Sequence, residues 1–202
     1  MIVKVCGIST QNNYKEIAET GADMIGLNFY KKSARYIGDE NLNIEAKGIK
    51  KVGVFVNASL SYILEQVDNY NLDFIQLHGD EGPEFCQHLA DITDVIKVFK
   101  LRQGFNFELC EQFKMCSYYL FDKDTKDYGG SGEKFNWTML EEYTTDVPFF
   151  IAGGISPKDA ETILQLKFSQ LIGVDINSRF ELKPGIKKPE LVKEFIQQLK
   201  LS

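Results

Sequence analysis

The sequence predicts an α/β fold: a closed (βα)8 barrel of the TIM class, forming a single domain over residues 1–202. Three observations predict it. Eight short apolar runs alternate with longer amphipathic stretches over 202 residues, about 25 residues per unit. The runs are mostly continuous in apolar residues, as in strands covered on both faces. No proline lies inside the core of a run, and no linker or shift in composition divides the chain. A doubly wound sheet could use the same strands, but eight β-then-α repeats point to the ring.

The first strand is Ile2–Cys6, followed by a helix over Asn12–Thr20 with Tyr14, Ile17 and Ala18 on one face. Gly21 is placed to stop that helix. Met24–Phe29 is the second strand, Lys31–Gly38 a long loop, and Asp39–Lys47 a weak helix. The third strand is Lys51–Val56, with a helix at Leu60–Tyr70; the fourth is Phe74–Leu77, with a helix at Glu81–Leu89. Gly82 and Pro83 sit at the start of this last helix, where proline is tolerated. Asp94–Phe99 is the fifth strand, with a weak helix at Phe107–Lys114. Tyr118–Phe121 is the sixth, followed by a glycine-rich loop at Asp127–Gly132 and a short helix at Trp137–Tyr143. Pro148–Ala152 is the seventh strand, after which Ser156 and Pro157 read as N-cap and first-turn residues. Leu171–Val174 is the eighth, and Pro189–Leu201 closes the chain as a helix.

Composition removes several classes of function. The formal net charge is -6, so there is no overall positive field to gather nucleic acid or an acidic membrane surface. Net charge does not bear on a local basic pocket for a small anion. The cysteines are Cys6, Cys86, Cys110 and Cys116; no pair has zinc-ligand spacing, and only two histidines accompany them. No metal site and no disulfide framework is expected. No run approaches 18 apolar residues, and Met1–Lys4 does not open a leader, so a cytoplasmic, reducing setting is expected.

A barrel collects its chemistry at the carboxyl ends of its strands. That places Cys6, Asn28, Asn57, His78, Asp122, Gly153, Gly154 and Asp175 around one mouth. Cys6 is either a small buried hydrophobe or, with its pKa lowered by cations or backbone donors, a base or nucleophile. Asp122 caps a turn or serves as a general acid, kept protonated by desolvation. Cys86, Cys110 and Cys116 look like packing residues, His88 like a surface residue, and Asp124 and Asp127 like solvated loop residues. Gly153-Gly154 allows backbone N–H groups to approach an anion, and Ser178 and Arg179 can join the same pocket. Gly129–Gly132 lacks the phosphate-loop lysine and reads as a mobile cover or backbone cradle. Arg35, one of three arginines, either holds a carboxylate or phosphate or is solvated. His78 either donates to a ligand or caps the fourth helix. Together these residues suggest a barrel enzyme acting by acid–base chemistry on a small phosphorylated metabolite.

The motifs also carry a specific resemblance. They are Lys4-Val-Cys-Gly-Ile8, Gly21-Ala-Asp23, Gly26-Leu-Asn-Phe-Tyr30, Lys32-Ser-Ala-Arg-Tyr-Ile37 and Val52-Gly-Val-Phe-Val-Asn57. Gln76-Leu-His-Gly79, Phe121-Asp122, Tyr128-Gly-Gly-Ser-Gly132, Phe135-Asn-Trp137, Ala152-Gly-Gly-Ile155 and Pro184-Gly185 follow in order. In these the chain resembles the phosphoribosylanthranilate isomerases of tryptophan biosynthesis. The resemblance implies a single-domain barrel with no metal or organic cofactor. It implies conversion of N-(5'-phosphoribosyl)anthranilate to 1-(o-carboxyphenylamino)-1-deoxyribulose 5-phosphate, an Amadori rearrangement. By resemblance, Cys6 matches the general base, Asp122 the general acid that opens the ribose ring, and Arg35 the arginine of the anthranilate side. The backbone of Gly154 and the segment Asn177–Arg179 match the phosphate cradle.

The chain departs from the family pattern at four places. Asn177 replaces a serine, Arg179 a glycine, and Ala34 a proline. Lys187-Lys188 stands where Lys-Asp is usual, which leaves Glu181 without its familiar acidic companion. These changes bear on the phosphate side more than on the acid–base pair. A metal-dependent phosphosugar epimerase would need more histidines than His78 and His88, and an indole-forming synthase would need a catalytic lysine and glutamate at strand ends. A non-catalytic binder would have no use for Cys6, Asp122 and Arg35. A small phosphorylated substrate is the expected partner, with monomer and homodimer both open.

Overall fold

The computed structural model describes residues 1–38, 48–123 and 136–200. The expected helix at Asp39–Lys47, the glycine loop with Asp124 and Asp127, and Leu201 lie outside the described residues.

Eight parallel strands close into a ring in chain order. They are β1 (Ile2–Cys6), β2 (Met24–Asn28), β3 (Lys50–Phe55), β4 (Phe74–Leu77), β5 (Asp94–Leu101), β6 (Tyr118–Lys123), β7 (Phe149–Ile151) and β8 (Leu171–Ile176). Closure comes from β1 pairing with both neighbours: Lys4 stands opposite Met24 on β2 and Asp175 on β8. Each strand starts within a residue of its expected position. β5, β6 and β8 run two residues further than expected, because pairing on one side continues past the apolar run: β5 with β6 at Lys100 and Asp122, and β8 with β1 at Asp175.

Successive side chains point alternately into and out of the ring. One set packs the ring interior: Met24, Val52, Phe74, Ile96, Val98, Leu120, Phe150 and Ala152. The other set, including Val3, Val5, Ile25, Leu27, Ile75, Val95 and Phe121, packs beneath the outer helices. This double burial explains why the runs read as continuously apolar.

The outer layer holds α1 (Gln11–Ala18), α2 (Leu60–Tyr70), α3 (Pro83–Ala90), α4 (Ala160–Leu164) and α5 (Pro189–Lys200). Ser59 caps α2 by accepting the Tyr62 N–H, and Asn71 ends it in the left-handed region. The helices expected after β5 and β6 are instead 3-10 segments, Phe107–Phe113 and Trp137–Glu142. A 3-10 segment rises about 2.0 Å per residue against about 1.5 Å for an α-helix, so a short chain crosses the barrel flank in fewer residues. Asn106 and Asn136 cap them by accepting backbone N–H groups. Beneath them Tyr143 and Phe149 each meet Phe121 with ring centroids 5.2 Å apart. That aromatic seat fixes Phe121 of β6, immediately before Asp122.

An unexpected antiparallel hairpin, β9 (Glu181–Lys183) with β10 (Ile186–Lys187), follows β8. Alternation cannot show two strands this short. Asn13 of α1 holds it, accepting the Lys187 N–H at 2.7 Å and donating to the Lys187 carbonyl at 2.9 Å. Cys86, Cys110 and Cys116 are buried packing residues with free thiols, and His88 is exposed, as expected.

Candidate active site

At the carboxyl ends of the strands lies a cavity of 330 Å3. Cys6, Asn28, Arg35, Gln76, His78, Asp122, Gly153, Gly154, Asp175, Asn177 and Ser178 line it, with Val54, Ala152 and Ile155. Nearly all of the expected site residues thus share one space, though they are spread from position 6 to 178. A second cavity of 370 Å3 lies on the flank by α2, lined by Lys31, Tyr36, Gly38, Tyr62, Glu65, Gln66, Asn69 and Tyr70. It lies apart from the strand-end thiol, acid and glycine loop.

Cys6 is the last residue of β1 and 5% exposed. Lys4 is two residues earlier, so alternation puts both side chains inside the ring. The Lys4 side chain is wholly buried, and its Nζ donates to Asp175 Oδ1 at 2.9 Å. Gly26 makes room for the pair. A Cβ there would stand 2.8 Å from Cys6 Sγ and 3.1 Å from Lys4 Nζ, so thiol and ammonium meet over a missing side chain. Burial pushes the Cys6 thiol up, while the Lys4 ammonium beside it pulls down; burial prevails. Both readings of Cys6 thus have a part here: the thiol is buried, and a cation stands beside it. Burial also works against the charge on Lys4, but Asp175 and Cys6 outweigh it and keep Lys4 protonated.

Sequence reasoning missed Lys4 as a functional residue. The signal was available, since a lysine inside an apolar strand two positions before the candidate base must share its face. Asp175, expected on the substrate side, lines the cavity but spends its Oδ1 on Lys4.

Asp122 ends the β6 run opposite Lys100 and is anchored by its own chain. Its Oδ1 accepts the Lys123 N–H at 2.8 Å. Its Oδ2 lies 3.5 Å from His78 Nε2. The side chain is 26% exposed, so the dry surroundings expected for this acid are not present. The physical reason is position, because strand ends form the rim while the floor below is packed. Gln76, fully buried in β4, also went unnoticed; its Nε2 lies 3.2 Å from His78 Nδ1. Its Oε1 is buried with no partner.

Gly153 and Gly154 both take positive φ, +85° and +75°. They differ in surroundings. A Cβ on Gly153 would stand 2.7 Å from the Lys123 N and 3.0 Å from Asp122 Oδ1, so its role is close passage beside the acid. A Cβ on Gly154 would meet nothing within 4 Å, which leaves that backbone open to the cavity. Ser156 and Asp159 complete a capping box just beyond, as the Ser-Pro pair predicted. Ser178–Phe180 is one 3-10 turn, and its geometry sorts the residues. Ser178 lines the cavity, Phe180 is buried, and Arg179 is exposed and outside the cavity wall. Arg179, expected beside the anion pocket, is turned about 120° from Ser178 by the 3-10 geometry and stands at the rim outside the cavity lining.

A sequence profile of the N-(5'phosphoribosyl)anthranilate (PRA) isomerase family matches residues 3–198. The chain belongs to this family. A relative from Phocaeicola vulgatus, an N-(5'-phosphoribosyl)anthranilate isomerase, is 40% identical over 99% of this chain and 98% of its own. The crystal structure of the phosphoribosyl anthranilate isomerase of Thermotoga maritima is 30% identical, covers all of both chains, and superposes with a TM-score of 0.87. Another solved phosphoribosyl anthranilate isomerase holds reduced 1-(o-carboxyphenylamino)-1-deoxyribulose 5-phosphate. It is 27% identical, covers all of both chains, and has a TM-score of 0.83.

The departures from the family pattern have a structural outcome. Arg35 donates from Nε and Nη2 to Glu181 Oε1 and Oε2, at 2.8 and 2.7 Å. The wholly buried Lys187 side chain donates to Glu181 Oε1 and to Asn177 Oδ1, both at 2.6 Å. Glu181 is thus held by two cations, Arg35 and Lys187, at positions where the family pattern is kept. Asn177, in place of the usual serine, reaches the second of them. Burial alone would raise the Glu181 carboxyl; Arg35 and Lys187 outweigh burial and hold it below its ordinary value. The clamp fixes Arg35 at the cavity wall with its remaining guanidinium N–H groups free of Glu181. Among the described residues, no group of three or more His, Cys, Asp or Glu side chains could hold a metal ion.

Proposed function

We propose that this cavity performs the isomerisation with Cys6 as base and Asp122 as acid. By family membership the chain is an N-(5'-phosphoribosyl)anthranilate isomerase in tryptophan biosynthesis. Asp122 delivers a proton to the furanose ring oxygen. The bond from C1 to that oxygen breaks, leaving a hydroxyl at C4 and a Schiff base at C1. The Cys6 thiolate removes the proton from C2, and the electron pair moves to give an enolamine. Proton gain at C1 and loss from the C2 hydroxyl complete the ketone.

The two groups need opposite charge states before reaction, and their surroundings differ accordingly. Cys6 sits in the dry floor, where the Lys4 ammonium can balance a thiolate. Asp122 sits at the wet rim, where protons arrive from solvent. Arg35, braced by Glu181, turns its spare N–H groups to the anthranilate carboxylate. The open backbone at Gly154 and the Asn177–Ser178 turn receive the phosphate, with His78 and Gly153 beside the acid and Asp175 behind Lys4. No helix of the described residues is long and apolar enough to cross a membrane, and the free thiols fit a reducing cytoplasm.

The observation that carries this reading is that Cys6 and Asp122 line one 330 Å3 cavity with a buried ammonium beside the thiol. It is tested by fluorescence with freshly prepared phosphoribosylanthranilate, with and without a chelator. Cys6→Ala and Asp122→Asn should each lose ~10²–10⁴-fold in kcat with circular dichroism unchanged. Undiminished turnover by Cys6→Ala would remove the thiol from the mechanism, and loss of activity on chelation would replace it with metal chemistry.

A further inference from the structure

We propose that His78 is a positioning residue for Asp122 and that Gln76 sets its tautomer. This rests on the reading of Asp122 as the acid.

Three side chains make a line from the barrel floor to the rim. Gln76 and His78 are two residues apart at the end of β4, on the same side of the strand. Gln76 Nε2 lies 3.2 Å from His78 Nδ1. An amide nitrogen only donates, so Nδ1 is the acceptor and the ring proton sits on Nε2. Nε2 faces Asp122 Oδ2 at 3.5 Å. The other carboxyl oxygen is already tied, accepting the Lys123 N–H at 2.8 Å. Oδ2 is therefore the oxygen that carries the proton used in ring opening, and the imidazole Nε2 stands 3.5 Å from it.

The consequence is chemical. When Asp122 gives its proton to the ring oxygen, a negative charge is left on the carboxyl group. A separation of 3.5 Å is long for a formed hydrogen bond in the empty site. As charge develops on Oδ2 the N–H can close on it, and such contacts commonly tighten in the reacting complex. The donor is most useful after proton transfer, so it favours kcat. A histidine in the other tautomer would present a lone pair to that carboxylate and oppose it. Among the described residues, Asp175 of β8 feels both His78 and Asp122 and is paired to Lys4 of β1, and the Lys97–Glu81 pair reaches Gly79, next to His78.

The test measures kcat and KM for His78→Ala and His78→Gln, each alone and combined with Asp122→Asn, with melting temperatures for all. Loss of one hydrogen bond to a charged group should lower kcat about 10–100-fold in His78→Ala, with KM within about twofold. Glutamine can place an N–H near the position of Nε2, so His78→Gln should recover most of that loss. In the Asp122→Asn background, His78→Ala should cost nothing further. Gln76→Glu, which accepts from Nδ1 and reverses the tautomer, should lower kcat as His78→Ala does and displace the pH profile.

A rise in KM with kcat unchanged would make His78 a substrate ligand and overturn the proposal. So would a full His78→Ala penalty in the Asp122→Asn background. If Asp122→Asn itself retains wild-type turnover, the acid assignment falls. If Asp122→Asn is inactive while His78→Ala is normal, only the present proposal falls.

Discussion

Lys4 Nζ and Asp175 Oδ1 stand 2.9 Å apart within the barrel, the lysine side chain wholly buried and the aspartate 8% exposed. They lie 171 positions apart in the chain and come together only because β1 closes the ring against β8. The seam that completes the barrel thus also fixes the ammonium that stands beside Cys6.

That seam gives two linked expectations for Lys4→Met. The Cys6 thiol is already raised by burial, so kcat/KM should climb with pH as it ionises, on a limb above the ordinary thiol value of about 8.5. Removing the ammonium should move this limb higher. It should also strand a buried carboxylate and cost about 3–5 kcal/mol of stability. Lys4→Met with Asp175→Leu should regain stability, since an apolar pair can replace a buried ion pair, yet remain inactive. pH–rate profiles and urea denaturation of both variants check this. A pH limb that stays in place would separate Lys4 from the thiol.

Glu181→Gln should release Arg35. The Glu181 carboxyl is held below its ordinary value, so its contribution to stability is fully present above the unfolded value of about 4.3 and is lost as pH falls through the folded value. The stability gap between wild type and variant should be widest near neutral pH, about 1.5–3 kcal/mol, and close on acidification. KM should rise more than kcat falls, because the arginine stays but its aim is lost. Denaturation at pH 7 and at successive steps below pH 4, with steady-state kinetics, decides the point; a gap that widens in acid would contradict it.

Gly153→Ala and Gly154→Ala should part company. Each puts a Cβ on a left-handed residue, at a cost of about 1–2 kcal/mol. Only the first pushes into the Lys123 backbone beside Asp122. Gly153→Ala should therefore reduce kcat, while Gly154→Ala should chiefly raise KM for the phosphorylated substrate. Equal effects of both on kcat would refute this division of labour.

The sequence by itself determined the ring and its rim. Burial on both faces writes a continuous apolar run at each strand, and the strand-end rule turns those runs into Cys6, His78, Asp122, Gly153 and Asp175 around one mouth. What it could not show was which rim residues are already spent on one another. Lys4 with Asp175 and Arg35 with Glu181 are contacts between distant segments, fixed by ring closure, and Lys187 meets Asn177 through a hairpin too short to show a period. The exposure of Arg179 and the openness of Asp122 were likewise decided in three dimensions, by one turn of 3-10 helix and by height above the barrel floor. Burial and charge balance depend on which other segments arrive at a point, and only the closed barrel brings them there.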